Sequence, residues 1–258
     1  MSANPQHSPA GRRALVVGGS TGIGRGVADA WAAAGLDVTV LSRSRPTGPG
    51  ADALHWSAVD LGDRAAARAA LARATTGPLH AVCYAAVSYG TRRALFDETG
   101  EPEWRHQVEV NLNGLWLTLS AALGRLRRSG TGLFLGISSE VVYNAGPGRA
   151  GYAATKAAAA ALLDSVAQEE SDRGGDGVRV VQALPAGMVD TPGIRARRPA
   201  DFDYGDYMVP ADFAPLARAL VTADPSAHHG DSLVVERGGR WHSVREARPV
   251  SQSRVLTA

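Results

Sequence analysis

Short β-branched apolar runs alternate along the chain with longer Ala-rich amphipathic stretches, the order expected of a parallel sheet joined by crossover helices. Ala14–Gly18 predicts a first buried strand, and a helix from about Gly22 to Ala34 follows, ended by Gly35. Val38–Leu41 predicts a second strand and Ala53–Val59 a weaker third. An Ala/Arg helix is expected over Arg64–Ala74, a fourth strand over Leu79–Tyr84, and a long helix over roughly Glu103–Arg128. Gly132–Ile137 predicts strand five, Tyr152–Ser171 a helix, Val178–Leu184 strand six, Asp212–Thr222 a helix and Ser232–Glu236 strand seven. Seven strands with helices between them predict one α/β domain, a Rossmann-type doubly wound parallel sheet. That domain is expected over residues 12–245, with flexible tails over 1–11 and 246–258.

One segment breaks the alternation. Asp190–Pro210 holds Pro192, Pro199 and Pro210 with Phe202, Tyr204, Tyr207 and Met208, which suits a lid over an apolar ligand or, equally, a plain surface loop.

Composition narrows the function classes. Apolar residues make up 45% of 258, enough for a large core, and the net charge of +2 gives no field to draw in nucleic acid or acidic lipid. No stretch reaches the ~18 strongly apolar residues of a membrane span, and the start lacks the apolar run of a signal peptide. Cys83 is the sole cysteine, so no internal disulfide is possible and a cytoplasmic location is expected. Of the 27 Lys plus Arg, only Lys156 is lysine, in a chain whose Ala, Gly and Arg usage suggests GC-rich coding. A lysine kept against that bias suggests a task arginine cannot perform.

Between the first strand and first helix lies Gly18-Gly19-Ser20-Thr21-Gly22-Ile23-Gly24. Glycines at such a turn let the backbone approach a pyrophosphate, whose charge sits at the positive helix N-terminus. The end of strand two selects the nucleotide, since a carboxylate there would repel a 2′-phosphate. The chain has Ser42-Arg43-Ser44-Arg45 instead, so a hydroxyl and a guanidinium favour NADP(H), although two arginines among 26 could also be solvated charges.

Tyr152 and Lys156 stand four apart at a helix start, on one face. A carbonyl reductase needs an acid for the oxygen as hydride reaches the carbon, and free tyrosine at pKa ~10 is a reluctant one. A nearby ammonium stabilises the phenolate; lowering the pKa by ~3 corresponds to about 4 kcal/mol.

The Gly-x3-Gly-x-Gly turn and the Tyr-x3-Lys pair resemble the short-chain dehydrogenase/reductase family, over about residues 12–242. That resemblance implies a catalytic Ser139, thirteen residues before Tyr152, and makes Asn111 of Asn111-Leu112-Asn113-Gly114 the residue that distorts the long helix and holds a relay water to Lys156. It further implies that Gly18, Ser20, Thr21, Gly22, Ile23 and Gly24 hold the pyrophosphate and that Asp60 and Leu61 meet adenine. Tyr152 and Lys156 would meet the nicotinamide ribose, and Gly187, Val189 and Thr191 the carboxamide side. Departures exist. Val17 replaces a Thr, and Cys83-Tyr84-Ala85-Ala86 stands where the family has Asn-Asn-Ala-Gly, with Ala85 beside adenosine. Pro185 comes one place early, and Arg237 precedes the terminal Gly-Gly in place of Asp.

The expected activity is hydride transfer between NADP(H) and a carbonyl or secondary alcohol. Ketone reduction of a largely apolar small molecule is favoured, in a setting that suits secondary metabolism. Glu140, Val142, Tyr143 and Met188 are expected in the substrate pocket. An epimerase or dehydratase with retained cofactor, or a non-catalytic nucleotide-binding protein, would share the fold. Arg195, Arg197 and Arg198 read as solvated lid charges or as a substrate clamp, and His228-His229 as an exposed turn. No metal spacing occurs, and the long helix and the Ala157–Ala161 run resemble the family's subunit-packing helices, so a homodimer or homotetramer is expected.

Overall fold

The computed structural model describes residues 11–173, 177–222 and 227–245; the expected tails fall outside them, Gly11 apart. The first strand, β1 (Arg13–Val17), shows why the strands read as unbroken apolar runs. Ala14 and Val16 enter one hydrophobic core and Leu15 and Val17 another, on opposite faces of the sheet.

Helix α1 (Gly22–Ala33) ends as expected before Gly35, which takes φ +92°. It is followed by β2 (Asp37–Ser42), β3 (Leu54–Ala58), α2 (Arg64–Ala74) and β4 (Ala81–Tyr84). The expected long helix is interrupted. It runs as α3 (Glu101–Val108), a π-turn at Glu109–Asn113, and α4 (Gly114–Arg127). Then come β5 (Leu133–Ile137), α5 (Ala150–Ser171), β6 (Arg179–Pro185), a one-turn α6 (Pro192–Arg195), α7 (Ala214–Thr222), β7 (Ser232–Val235) and β8 (Trp241–Ser243).

The sheet has the order β3-β2-β1-β4-β5-β6-β7-β8, so it carries eight strands where seven were expected. The extra strand, β8, pairs antiparallel with β7 through only three residues. Its place depends on that pairing, with no sequence alternation to announce it. The other seven strands are parallel, and α1 and α7 cover one face while α2, α4 and α5 cover the other. Trp31, fully buried, ties the first pair together through its indole N–H to the Ala217 carbonyl at 2.9 Å. Strand order reverses between β1 and β4, and such a switch point is where open α/β sheets bind ligands. No described helix is long and apolar enough to cross a membrane.

Candidate active site

At the switch point the glycine turn is closely packed. A Cβ at Gly18 (φ +86°) would collide with the Ala86 backbone, and one at Gly24 with the Gly18 carbonyl and the Ala85 methyl. Glycine is therefore required there for strand and helix to approach. Thr21 caps α1 without a side-chain hydrogen bond, and the first turn holds no acid. Its N–H groups and the helix dipole suit an anion, so the residues present fit a coenzyme pyrophosphate. Ser20 and Ile23 are half-buried at this turn.

The end of β2 differs in detail from the expectation. Ser42 is buried, donates its hydroxyl to the Ser44 carbonyl at 2.8 Å and accepts the Trp56 indole N–H at 3.1 Å. Its proton is therefore engaged, and Arg43 is the exposed group next to it. Arg45 lies 5.1 Å over the Trp56 ring. Arg25 pins the following loop, donating to the Thr47 and Pro49 carbonyls at 2.8 and 2.6 Å while gripping Asp29. Asp60 is exposed and accepts the Gly62 N–H at 2.8 Å, whereas Leu61 packs into the core. Ala85 N–H bonds the Val17 carbonyl at 2.8 Å.

Beyond β6, Gly187 is exposed, Val189 is buried and bridges to Met208, and Thr191 caps α6 by accepting the Ile194 N–H at 3.3 Å. Thr191 also borders the glycine turn, 3.3 Å from where a Gly22 Cβ would stand. The early Pro185 is simply the last residue of β6, paired with Val235.

The four expected catalytic residues gather on the β5 side of the switch point. Asn111 lies in the π-turn and is 2% exposed. Its amide accepts the Ser88 N–H at 2.7 Å and donates to the Ser88 carbonyl and the Thr155 hydroxyl, both at 2.9 Å. It thereby joins the loop after β4 to the residue preceding Lys156. The Lys156 ammonium donates to the Ile137 carbonyl at 2.7 Å, and burial pulls its pKa down to about 8. Contrary to the lowering expected beside Lys156, burial pushes the Tyr152 phenol up, Tyr89 and Glu140 add to this, and the Ser139 hydrogen bond and Arg149 oppose it. A small cavity of about 10 Å³ is lined by Tyr84, Asn111, Ser138, Lys156 and Gln182 among others. That is room for roughly one water.

Four contacts around this site escape a reading of the sequence. Ser139 donates to Glu140 at 2.8 Å, and Glu140 is paired with Arg149 at 3.0 Å, three residues before Tyr152. Tyr89 packs on Tyr152 with ring centroids 5.0 Å apart. Arg197 lies 5.2 Å over Tyr89 and donates to the Gly90 carbonyl, which brings the expected lid against the ring that packs on Tyr152. The Tyr89 and Arg197 contacts cross long sequence separations, whereas Glu140 and Arg149 meet across one nine-residue loop.

The lid arginines have partners within the chain while Arg195 and Arg197 stay exposed to solvent. Arg195 pairs with Asp190 at 2.6 Å and lies 4.4 Å over Tyr204, and Arg198 lies 5.3 Å over Phe202. Phe202, Tyr204 and Tyr207 pack edge-on against one another at 5.0–5.5 Å. His229, expected in an exposed turn, is half-buried and accepts the Val180 N–H at 3.2 Å. Cys83 is buried in the core, and burial pushes its thiol up, away from nucleophilic chemistry. Among the described residues no group of three or more His, Cys, Asp or Glu could hold a metal ion.

The family model for short chain dehydrogenases matches residues 12–201. The chain belongs to the short-chain dehydrogenase/reductase family. It is thus an oxidoreductase, and the family works with a nicotinamide coenzyme and small-molecule substrates. This family member is 32% identical over 251 residues to a 2,5-dichloro-2,5-cyclohexadiene-1,4-diol dehydrogenase of Sphingobium indicum, covering 94% of the chain and 92% of the relative. A 3-oxoacyl-[acyl-carrier-protein] reductase of Chlamydia muridarum is 27% identical, over 70% of the chain and 75% of the relative. A solved structure from Beutenbergia cavernae, a candidate NAD(P)-dependent gluconate 5-dehydrogenase with NADP bound at low occupancy, superposes with TM-score 0.76. It is 28% identical, over 92% of this chain and 99% of that one.

Proposed function

We propose that this short-chain dehydrogenase/reductase is an NADP(H)-dependent carbonyl reductase acting on a largely apolar small ketone. The observation that carries the reading is the meeting of Ser139, Tyr152, Lys156 and Asn111 at one end of the sheet, beside a β2 terminus that bears exposed Arg43 and no acid. The Beutenbergia relative solved with NADP supports the same coenzyme.

When bound, the coenzyme supplies the hydride for the carbonyl carbon. The glycine turn and the α1 N-terminus would hold its pyrophosphate, and Arg43 its 2′-phosphate. Ser139 and Tyr152 hold the carbonyl oxygen, and the phenol of Tyr152 gives that oxygen its proton. The rise that burial imposes on Tyr152 keeps the phenol protonated before the substrate arrives. Lys156 stabilises the phenolate left behind and carries the next proton toward it. Asn111 fixes the backbone around Ser88 and Thr155 and so holds Lys156 in place. Tyr89, with exposed Tyr143 and Met188, gives the apolar wall, and Glu140 a polar point in it. A cytoplasmic dimer or tetramer is the expected form, supported by exposed Trp104 and Trp116 on α3 and α4.

Titration of the purified protein with NADPH and NADH, followed by nucleotide fluorescence, tests the coenzyme assignment. Tighter binding of NADPH is expected. Preference for NADH would overturn the assignment.

A further inference from the structure

The least conservative departure from the family pattern is Tyr84, a large side chain at the end of β4 where Asn is usual. It is buried on the face that α4 covers. Its hydroxyl donates to the carbonyl of Val110, the residue immediately before Asn111 in the π-turn. Burial, with the Glu109 carboxylate adding, pushes the phenol up, so this group stays protonated and remains a donor. Gly114 makes the space for it. A Cβ at Gly114 would run into the Tyr84 hydroxyl, whereas the ring carbon that bears the hydroxyl would be at an ordinary 3.4 Å. Tyr84 also walls the one-water cavity shared by Asn111 and Lys156.

A π-turn is a wide turn that must be held against relaxation to ordinary helix. Here the Gly114 N–H reaches back five residues to Glu109. Relaxation would rotate Asn111 away from Ser88 and Thr155, its present partners. We propose that Tyr84 is a positioning residue: its hydroxyl fixes the Val110–Asn111 peptide, which keeps Asn111 aimed at the segments that place Lys156. Tyr84 and Gly114 act as a matched pair, the glycine admitting the hydroxyl that the turn requires. This role rests on the reductase reading of the same site.

The test compares Tyr84→Phe, Gly114→Ala and the double variant. Tyr84→Phe should lower kcat about tenfold, with the Kd for NADPH within about twofold of wild type. Amide hydrogen exchange in the Glu109–Asn113 turn should become faster. Gly114→Ala should show the same defect, because the new methyl displaces the hydroxyl. Adding Tyr84→Phe to Gly114→Ala should cost nothing more, since the ring without its hydroxyl clears the methyl. Unchanged kcat and exchange in Tyr84→Phe, or defects that multiply in the double variant, would overturn the proposal. If the wild-type protein reduces no carbonyl, the reductase reading fails separately. The exchange data then decide the structural tie alone: faster exchange in Tyr84→Phe supports it and unchanged exchange refutes it.

Discussion

Arg149 reaches back from the start of α5 to the Glu140 carboxylate at 3.0 Å, and Glu140 in turn accepts the Ser139 hydroxyl at 2.8 Å. Arg149 also donates to the Asn144 carbonyl at 3.3 Å, so one guanidinium closes the whole loop between Ser139 and the helix that carries Tyr152. The Glu140 side chain is 50% exposed, so solvent screens the pair and limits its worth to about 1 kcal/mol or less. Arg149→Met is therefore predicted to lower kcat by about two- to fivefold and to leave coenzyme binding unchanged. Steady-state kinetics with coenzyme titration checks this. A loss in coenzyme affinity alone would place Arg149 in a different role.

Arg43 is exposed beside a β2 terminus without acid, while the Ser42 hydroxyl is occupied by the Ser44 carbonyl. Most of the 2′-phosphate preference should then rest on one guanidinium. Arg43→Asp is predicted to weaken NADPH by at least about tenfold and to change NADH little, since a charge-assisted contact is lost and a like charge introduced. Fluorescence titration of the variant with both nucleotides measures the ratio.

Lys156 should reduce stability in the absence of ligand. Its pKa in the folded protein is about 8, against about 10.4 for lysine in an unfolded chain. Between those values the unfolded chain carries the extra proton, so stability rises with pH across that window and the penalty is fully present below it. Lys156→Met is predicted to be more stable than wild type at pH 7 by about 1–2 kcal/mol, after allowing for the lost bond to the Ile137 carbonyl. The advantage should shrink as pH rises from about 8 to about 10. Urea unfolding across that range reads it, and an advantage independent of pH would contradict the explanation.

Glu170, 1% exposed, organises the far end of the sheet. It accepts Arg127 on both oxygens, from Nη2 and, at 3.0 Å, from Nε, and it accepts the Val178 N–H at 3.0 Å. Burial alone would raise this carboxyl, but Arg127 and the Val178 amide outweigh burial and hold it below the usual range. Its stabilisation is thus present above the ordinary carboxylate pKa and is lost as pH falls through the lowered value. Glu170→Ala is predicted to destabilise by about 3 kcal/mol near neutral pH and to flatten the acid side of the stability profile.

How much of this is legible in the sequence follows from how local each signal is. Helix α2 is read to the residue, because Asp63 caps it by accepting two first-turn amides and the Ala/Arg run continues to its end. The Tyr152–Lys156 pair is legible because four residues make one helical turn. The π-turn is legible only through Asn111, since the helical pattern from Glu103 onward runs through it without a break. Strand β8 and the contacts Glu140–Arg149, Tyr89–Arg197 and Tyr84–Val110 are not legible. Apart from Glu140–Arg149, which closes one nine-residue loop, each depends on segments brought together by the sheet.

The Tyr152 phenol is expected to protonate the substrate oxygen. The most direct measurement is single-turnover oxidation of NADPH by wild type and Tyr152→Phe, with a panel of small apolar ketones. Wild type should oxidise the coenzyme with at least one ketone. The variant should bind NADPH normally yet transfer hydride at least about a thousandfold more slowly, the range that a positioned general acid supplies. Hydride transfer by the variant at the wild-type rate would contradict the account.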